Sequence, residues 1–249
     1  VTDTAPTACV LIIGDEILSG RTQDANLRYF ARRFAELGIR LKEARVIPDA
    51  HDVIVETLNA VRPRYSYVIT TGGIGPTHDD ITAACVARAF GRAVVRHPDV
   101  VARMTAYFGD RLNEARLKMA EVPDGPGVSL IETASTIAPG FRIENVFVLA
   151  GIPSIAQDMF EAFAPGLGRG APMLSSNVGA DVREGDIAAG LTAIQDKFPD
   201  VGLGSYPSLR DGAFHTSIVA RATDQTRIDA ALAEVATLMR ALGATPTSD

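Results

Sequence analysis

Tyr67-Val68-Ile69-Thr70-Thr71-Gly72-Gly73-Ile74-Gly75-Pro76-Thr77-His78-Asp79-Asp80 decides how this chain is read. The first five residues are apolar or β-branched and predict a buried strand, and the glycines at 72, 73 and 75 predict a tight turn out of it. Helical spacing then resumes over 81–90. Without a Cβ at those positions, successive backbone amides can crowd toward one point, and the mouth of the next helix adds partial positive charge there. The loop is therefore a candidate phosphate cradle, with Asp79 and Asp80 as hard oxygen donors for a divalent cation beside the phosphate. The same residues also suit a plain strand-to-helix turn, in which the glycines serve tightness and an Asp caps the helix.

Working outward, short apolar runs at 9–13, 41–47 and 67–71, and later at 146–150, alternate with helical periodicity at 26–37 and 53–61. Leu27, Phe30, Phe34 and Leu37 share one face of the first helix; Val53, Ile54, Thr57, Leu58 and Val61 share one face of the second. Gly38 and Pro63 stand where those helices should stop. This alternation predicts an α/β fold: a three-layer, mostly parallel sheet covered by helices on both faces, with right-handed crossovers. Ligands of such sheets sit beyond the carboxyl ends of the strands where strand order reverses, and the Gly72 loop has that kind of position. Composition changes at Pro165-Gly166-Leu167-Gly168-Arg169-Gly170-Ala171-Pro172, a connector between a first domain, 8–165, and a second, 173–243. The second reads as strand 174–182, helix 184–198, strands 201–206 and 214–220, and helix 224–242, with Asp224 as N-cap and Gly243 as C-cap. That order suits a small α+β module of ferredoxin-like kind. Residues 1–7 and 245–249 read as loose tails.

The chain of 249 residues is 47% apolar and 22% charged, an ordinary globular balance. Its net charge of −6 offers no basic footprint for nucleic acid or an anionic membrane, so an anionic ligand must be held by local geometry. The apolar runs at 8–13 and 146–152 are strand-sized, and the polar, Pro-containing start does not read as a signal peptide. A cytoplasmic protein with neither nucleic-acid nor membrane partner is expected. Cys9 and Cys85, far apart in apolar surroundings, are expected as buried free thiols of a reducing compartment. His51, His97 and His215 form no cluster that suggests zinc, and His78 reads as an exposed loop residue. Ser19 and Ser154 belong to no serine-nucleophile motif, and no P-loop sequence occurs.

Gly14-Asp15-Glu16-Ile17-Leu18-Ser19-Gly20 follows the first strand. In a parallel sheet Asp15 and Glu16 face the same crevice as the Gly72 loop; the bland role for them is turn and cap chemistry. Asn26 opens the next helix, as a cap or as a hydrogen-bonding partner for a ligand. Acids at the ends of two strands could share one Mg²⁺-like ion.

Gly14-Asp15-Glu16-Ile17-Leu18 with Asn26, the loop from Thr71 to Thr77 with Asp79-Asp80, and Ala138-Pro139-Gly140-Phe141 together resemble the molybdopterin-binding fold. Over residues 8–165 the order and spacing most resemble the N-terminal domain of the competence/damage-inducible protein A (CinA) family. The module containing Gly204-Ser205-Tyr206-Pro207 is similar to the small domain that follows in that family. The chain is also similar to the molybdopterin-binding-like half of eukaryotic FAD synthases. The nicotinamide-nucleotide amidase domain of full-length CinA proteins is not expected here. The resemblance implies a small-molecule ligand with a phosphate or pyrophosphate on a flat heterocycle, either a pterin or a dinucleotide such as ADP-ribose or FAD. It implies a homo-oligomer, and three possible activities: metal-dependent dinucleotide pyrophosphatase, non-hydrolytic molybdopterin or nucleotide binding, or molybdopterin adenylyl transfer. Carried onto this sequence, the ligand contacts are Gly14, Glu16, Ser19, Asn26, Thr71, Gly72, Gly73, Gly75, Pro76, Thr77, Lys118, Gly151, Pro153 and Ser154. Asp15, Asp79 and Asp80 are the catalytic candidates, with Asp15 and Asp80 holding Mg²⁺, Mn²⁺ or Co²⁺. Lys118 matches a family lysine and either neutralises a phosphate or stays solvated. Two departures stand out. Ala150-Gly151-Ile152-Pro153-Ser154-Ile155 puts Ile155 where the family carries an acid, and Thr136-Ile137 replaces the Gly-Thr before Ala-Pro-Gly.

Overall fold

A computed structural model describes residues 5–210 and 212–247, and the chain divides into two compact units between Gly170 and Ala171. The first contains β1 (Thr7–Ile13), α1 (Asp15–Leu18), α2 (Asn26–Glu36), β2 (Arg40–Ile47), α3 (His51–Val61), β3 (Tyr67–Thr71), α4 (Thr82–Ala89) and β4 (Val94–Arg96). After these come α5 (Pro98–Phe108), α6 (Glu114–Leu117), β5 (Glu121–Pro123), β6 (Val128–Thr133), β7 (Thr136–Ile143), β8 (Val146–Leu149) and α7 (Pro153–Phe163). Six strands form one sheet in the order β2-β1-β3-β8-β7-β6. β1 runs parallel to β2 and β3, and β3 parallel to β8; β7 lies antiparallel between β8 and β6.

The continuous apolar reading of β1 has a direct cause. Ala8, Val10 and Ile12 enter one core with Phe30 and Phe34 of α2 and Met159 and Phe160 of α7. Cys9, Leu11 and Ile13 enter the core on the opposite face, with Ile54 and Leu58 of α3 and Cys85 and Val86 of α4. Side chains alternate across a strand, so a strand covered on both faces is apolar at every position. Phe160 packs against both Phe30 and Phe34 at 5.3 Å between ring centroids, and burying each such ring contributes about 1.5–3 kcal/mol.

The segment 94–143 holds elements that periodicity did not predict. β4 and β5 are three residues each and pair only with one another, too short to show a period. β7 carries Pro139-Gly140, a breaker pair in sequence; a Cβ on Gly140 would meet the Val148 carbonyl oxygen at 2.5 Å, so only glycine lets β7 approach β8 there.

The second unit is β9 (Leu174–Ala180), α8 (Glu184–Lys197), β10 (Gly202–Arg210), β11 (Ala213–Ala222) and α9 (Gln225–Ala241), with the antiparallel sheet order β10-β11-β9. Val178, Ile218 and Ala220 pack with Ile187, Ile194, Ile228 and Val235 of the two helices. Asp224 caps α9 by accepting from the Thr226 and Arg227 amides, and Gly243 takes φ 81° just past its end. The tails are more ordered than expected. Thr7 opens β1, and Thr247 exchanges two backbone hydrogen bonds of 2.8 Å with Gly179; residues 1–4 and 248–249 of the expected tails lie outside the described residues. Among the described residues no helix is long and apolar enough to cross a membrane.

Candidate functional site

The connection from β1 leads to β2 on one side, whereas β3 lies on the other side of β1, so strand order reverses between β1 and β3. The carboxyl ends of β1, β3 and β8 open there into a crevice of about 520 Å³, a size ordinary for small-molecule sites.

The Gly loop forms one wall. Gly72 and Gly73 take φ 98° and 69°, and a Cβ on either would stand 2.1 Å from the Ile13 carbonyl oxygen or 2.2 Å from the Thr82 hydroxyl. Buried Thr82 locks the turn: its amide donates to the Gly73 carbonyl and its hydroxyl to the Gly72 carbonyl, both at 2.9 Å. The Gly72 amide is spent on the Leu149 carbonyl at 3.2 Å, so it is not part of a cradle. Among the described residues, the amides of Gly73, Ile74 and Gly75 donate to no protein group. These are the amides left for a ligand.

The acidic residues divide differently from expectation. Neither Asp79 nor Asp80 caps α4, whose N-cap is Ile81 without a side-chain bond. Asp80 instead closes the loop on itself, accepting from the Thr77 amide at 2.7 Å and from the Thr77 hydroxyl. Gly75 makes room for that carboxylate, 2.7 Å from where a Cβ would stand. Asp79 Oδ1 stands 3.9 Å from His78 Nδ1; the Thr77 side chain first, then its own backbone amide, His78 and Lys118, hold its carboxyl below the usual range. Asp15 opens α1 and is exposed, and it is Glu16 whose carboxylate folds back over Gly14 to line the crevice. Asp49, just past β2, also lines it and accepts from the Asp15 amide at 2.9 Å. Burial first, then the neighbouring carboxylates of Asp15, Glu16 and Asp79, push the Asp49 carboxyl upward against the opposing effect of that amide. Asp49 was missed in the sequence. Its signal was Pro48-Asp49 directly after an apolar strand, the same strand-end placement that singled out Asp15.

Gly14, Glu16, Gly72, Gly73, Gly75, Pro76, Asp79, Asp80, Gly151 and Pro153 line one crevice. Asp15, Ser19, Asn26, Thr71, Thr77, Lys118 and Ser154 do not line it. Their placements explain why. Ser19 bonds back to the Glu16 carbonyl at 3.3 Å, Thr71 is buried as the last residue of β3, and Ser154 is exposed in the first turn of α7. Lys118 donates to the Thr77 carbonyl and so braces the loop. Asn26 is not the N-cap of α2; its buried carboxamide reaches across to the Gly151 carbonyl at 2.9 Å and ties α2 to the loop after β8. Gly151 in turn sits so close that a Cβ would be 3.4 Å from Gly72 Cα. Ile152, Ile155, Met119 and Ala138 add apolar wall.

The charge pattern is mostly acidic. Glu16, Asp49, Asp79 and Asp80 line the crevice, and Lys118 stands beside the same Gly73–Gly75 loop, bound to the Thr77 carbonyl. A phosphate entering it meets bare amides and four carboxylates with one lysine beside the loop, an acid excess that a divalent cation would offset. Hard carboxylate oxygens suit Mg²⁺, Mn²⁺ or Co²⁺. Among the described residues no group of three or more acidic, His or Cys side chains converges as a ready-made metal cage. A cation such as Mg²⁺ is commonly held by one or two carboxylates with substrate phosphate and water, so the donor set fits an ion shared with the ligand.

This fold and this crevice define a class, and the comparisons agree: the chain belongs to the family described as probable molybdopterin binding domain, whose model matches residues 9–169. Residues 172–246 match a second model, FAD synthase, middle domain. The crystal structure of the protein CinA from Thermoplasma acidophilum is similar to the first unit, with a TM-score of 0.61 and 29% identity, covering 65% of this chain and 98% of that one. A probable FAD synthase of Caenorhabditis elegans is 31% identical over 94% of this chain and 50% of its own length. A CinA-like protein of Kosmotoga olearia is 35% identical over 61% of this chain and 38% of its own. The chain thus spans half of the FAD synthase and less of the CinA-like protein.

Proposed function

We propose that the crevice between β1 and β3 binds a phosphate-bearing dinucleotide or pterin, and that the chain is a divalent-cation-dependent pyrophosphatase acting on a dinucleotide such as FAD or ADP-ribose. The observation that carries this reading is the pairing of three bare amides, Gly73 to Gly75, with a lining of four carboxylates. In this reading the amides hold a phosphate oxygen and the apolar wall of Ile152, Ile155 and Met119 takes the flat heterocycle. Glu16, Asp49 and Asp79 are the side chains that would hold a cation; Asp80 and Lys118 keep the loop in shape. The cation, when bound, supplies charge neutralisation and a more acidic water. Water adds to one phosphorus, the bridging P–O bond breaks, and two phosphate monoesters leave. The match to the probable molybdopterin binding domain and the FAD-synthase relatives support a pterin or nucleotide ligand of this kind.

The test is incubation with FAD or ADP-ribose and Mg²⁺, Mn²⁺ or Co²⁺, with AMP as the readout. AMP release lost in Asp79→Asn supports hydrolysis. Ligand binding without AMP from any dinucleotide refutes it and leaves the second reading, non-hydrolytic binding of pterin or nucleotide. Ile155 in the crevice wall favours that alternative, since it is an apolar side chain where the related family carries an acid.

A further inference from the structure

Away from the crevice, α2 of the same unit carries two guanidiniums without partners among the described residues. A second cavity of about 550 Å³ runs along α2 where it faces α7, lined among others by Gln23, Asp24, Arg28, Tyr29, Arg32 and Gln157. The nearby acids are already committed. Asp24 accepts from the Asn26 and Leu27 amides at 3.2 and 3.0 Å. Glu36 and Glu161 are both taken by Arg33, and Glu161 also accepts from the Tyr29 hydroxyl at 2.6 Å. Among the described residues neither Arg28 nor Arg32 has a hydrogen-bond or ion-pair partner. They stand one helical turn apart, where side chains are neighbours and like charges repel.

We propose that this groove is a second anion site, selective for the dianion of a phosphate monoester. Two guanidinium forks a turn apart present several N–H donors to one tetrahedral group, and such donors bind phosphate oxygens by charge-assisted pairs. The Gln23 and Gln157 carboxamides add neutral donors at the rim, and the half-buried Tyr29 ring forms a wall. The net charge of −6 leaves no broad basic surface for a polyanion, which favours a small ligand at this groove. The site does not depend on the crevice reading.

The test is a titration of the full chain with inorganic phosphate, and then with AMP against adenosine, at constant ionic strength, read by backbone amide NMR shifts. Residues 23–36 report the groove and residues 73–75 report the crevice separately. Phosphate and AMP, but not adenosine, should shift residues 23–36. Arg28→Ala/Arg32→Ala should weaken that response about ten- to hundredfold, the loss of charge-assisted bonds worth a decade or more in affinity. Its far-UV circular dichroism should stay that of the wild type, because Arg28 and Arg32 are exposed. No shift at 23–36, or one surviving in the double variant within about twofold, overturns the proposal. When the titration is repeated with Mg²⁺ present, shifts at 23–36 with none at 73–75 would uphold it while counting against the crevice as a phosphate site.

Discussion

Gly73→Ala tests whether the loop is held as a rigid cradle. Gly73 has φ 69°, and left-handed backbone costs an L-residue about 1–2 kcal/mol. The new Cβ would also stand 2.2 Å from the Thr82 hydroxyl and 3.2 Å from Thr82 Cβ, too close for either to remain in place. Thr82 is fully buried, so turning its hydroxyl away from the Gly72 carbonyl strands a donor and an acceptor, at about 1–3 kcal/mol. The sum is about 2–5 kcal/mol. Gly91→Ala supplies the control: φ is 63° but nothing lies within 4 Å of the added Cβ, leaving only the backbone cost. Both substitutions lower the entropy of the unfolded chain equally, so that contribution cancels between them. Urea denaturation followed by far-UV circular dichroism suits a chain without tryptophan. The Gly73 variant should be less stable than the Gly91 variant by about 1–3 kcal/mol. Thr82→Ala should recover part of the difference when combined with it, because removing the hydroxyl relieves the nearest contact. Equal stabilities for the two glycine variants, or strict additivity with Thr82→Ala, would refute the locked-loop argument.

Asp49 makes a pH-dependent prediction. Burial first, then the facing carboxylates, raise its folded-state value, so the native chain binds a proton there more tightly than the unfolded one. Its contribution is therefore most favourable when protonated and falls as pH rises from the ordinary carboxylate value through the raised one. Asp49→Asn should remove that slope and leave stability at pH 7 unchanged or higher, while cation-dependent AMP release drops about a hundredfold or more; clear destabilisation at pH 7 would contradict the repulsion. Asp80→Ala removes the acceptor of the Thr77 amide, so hydrogen exchange at Thr77 should quicken by about fivefold, the equivalent of roughly 1 kcal/mol; unchanged exchange would show that the loop is held by other contacts. Burial pushes the Cys9 thiol to about 12 and the Cys85 thiol to about 11, so a thiol-specific disulfide reagent at pH 8 should react with neither until urea unfolds the chain. Rapid native-state labelling would place a thiol at the surface.

The parts of this fold that showed in the sequence are those where one physical demand acts on every residue of a segment. β1, β3 and β8 are buried on both faces, so nothing but apolar or small side chains serves at any position, and α2 and α3 present one apolar stripe to those cores. The antiparallel pair β6 and β7 escaped because its outer positions are half solvated and Gly140 is there for a backbone contact with β8, which sequence cannot distinguish from a turn. At the site, the glycines were legible because a positive φ or a missing Cβ leaves a signature in residue type alone. The carboxylates were not, because residue type fixes chemistry but not direction. Asp15 and Glu16 are adjacent in a four-residue helix whose register decides which one turns inward, and it is Glu16. Asp79 and Asp80 are adjacent in a turn where Thr77, three residues back, donates from its amide and hydroxyl to Asp80, and both carboxylates line the crevice. A loop of bare amides set among acids that have turned inward makes charge balance the governing constraint on any phosphate ligand. Removing one such acid should therefore weaken cation-dependent binding more than it weakens the fold, the reverse of what Thr82 or Gly73 would show.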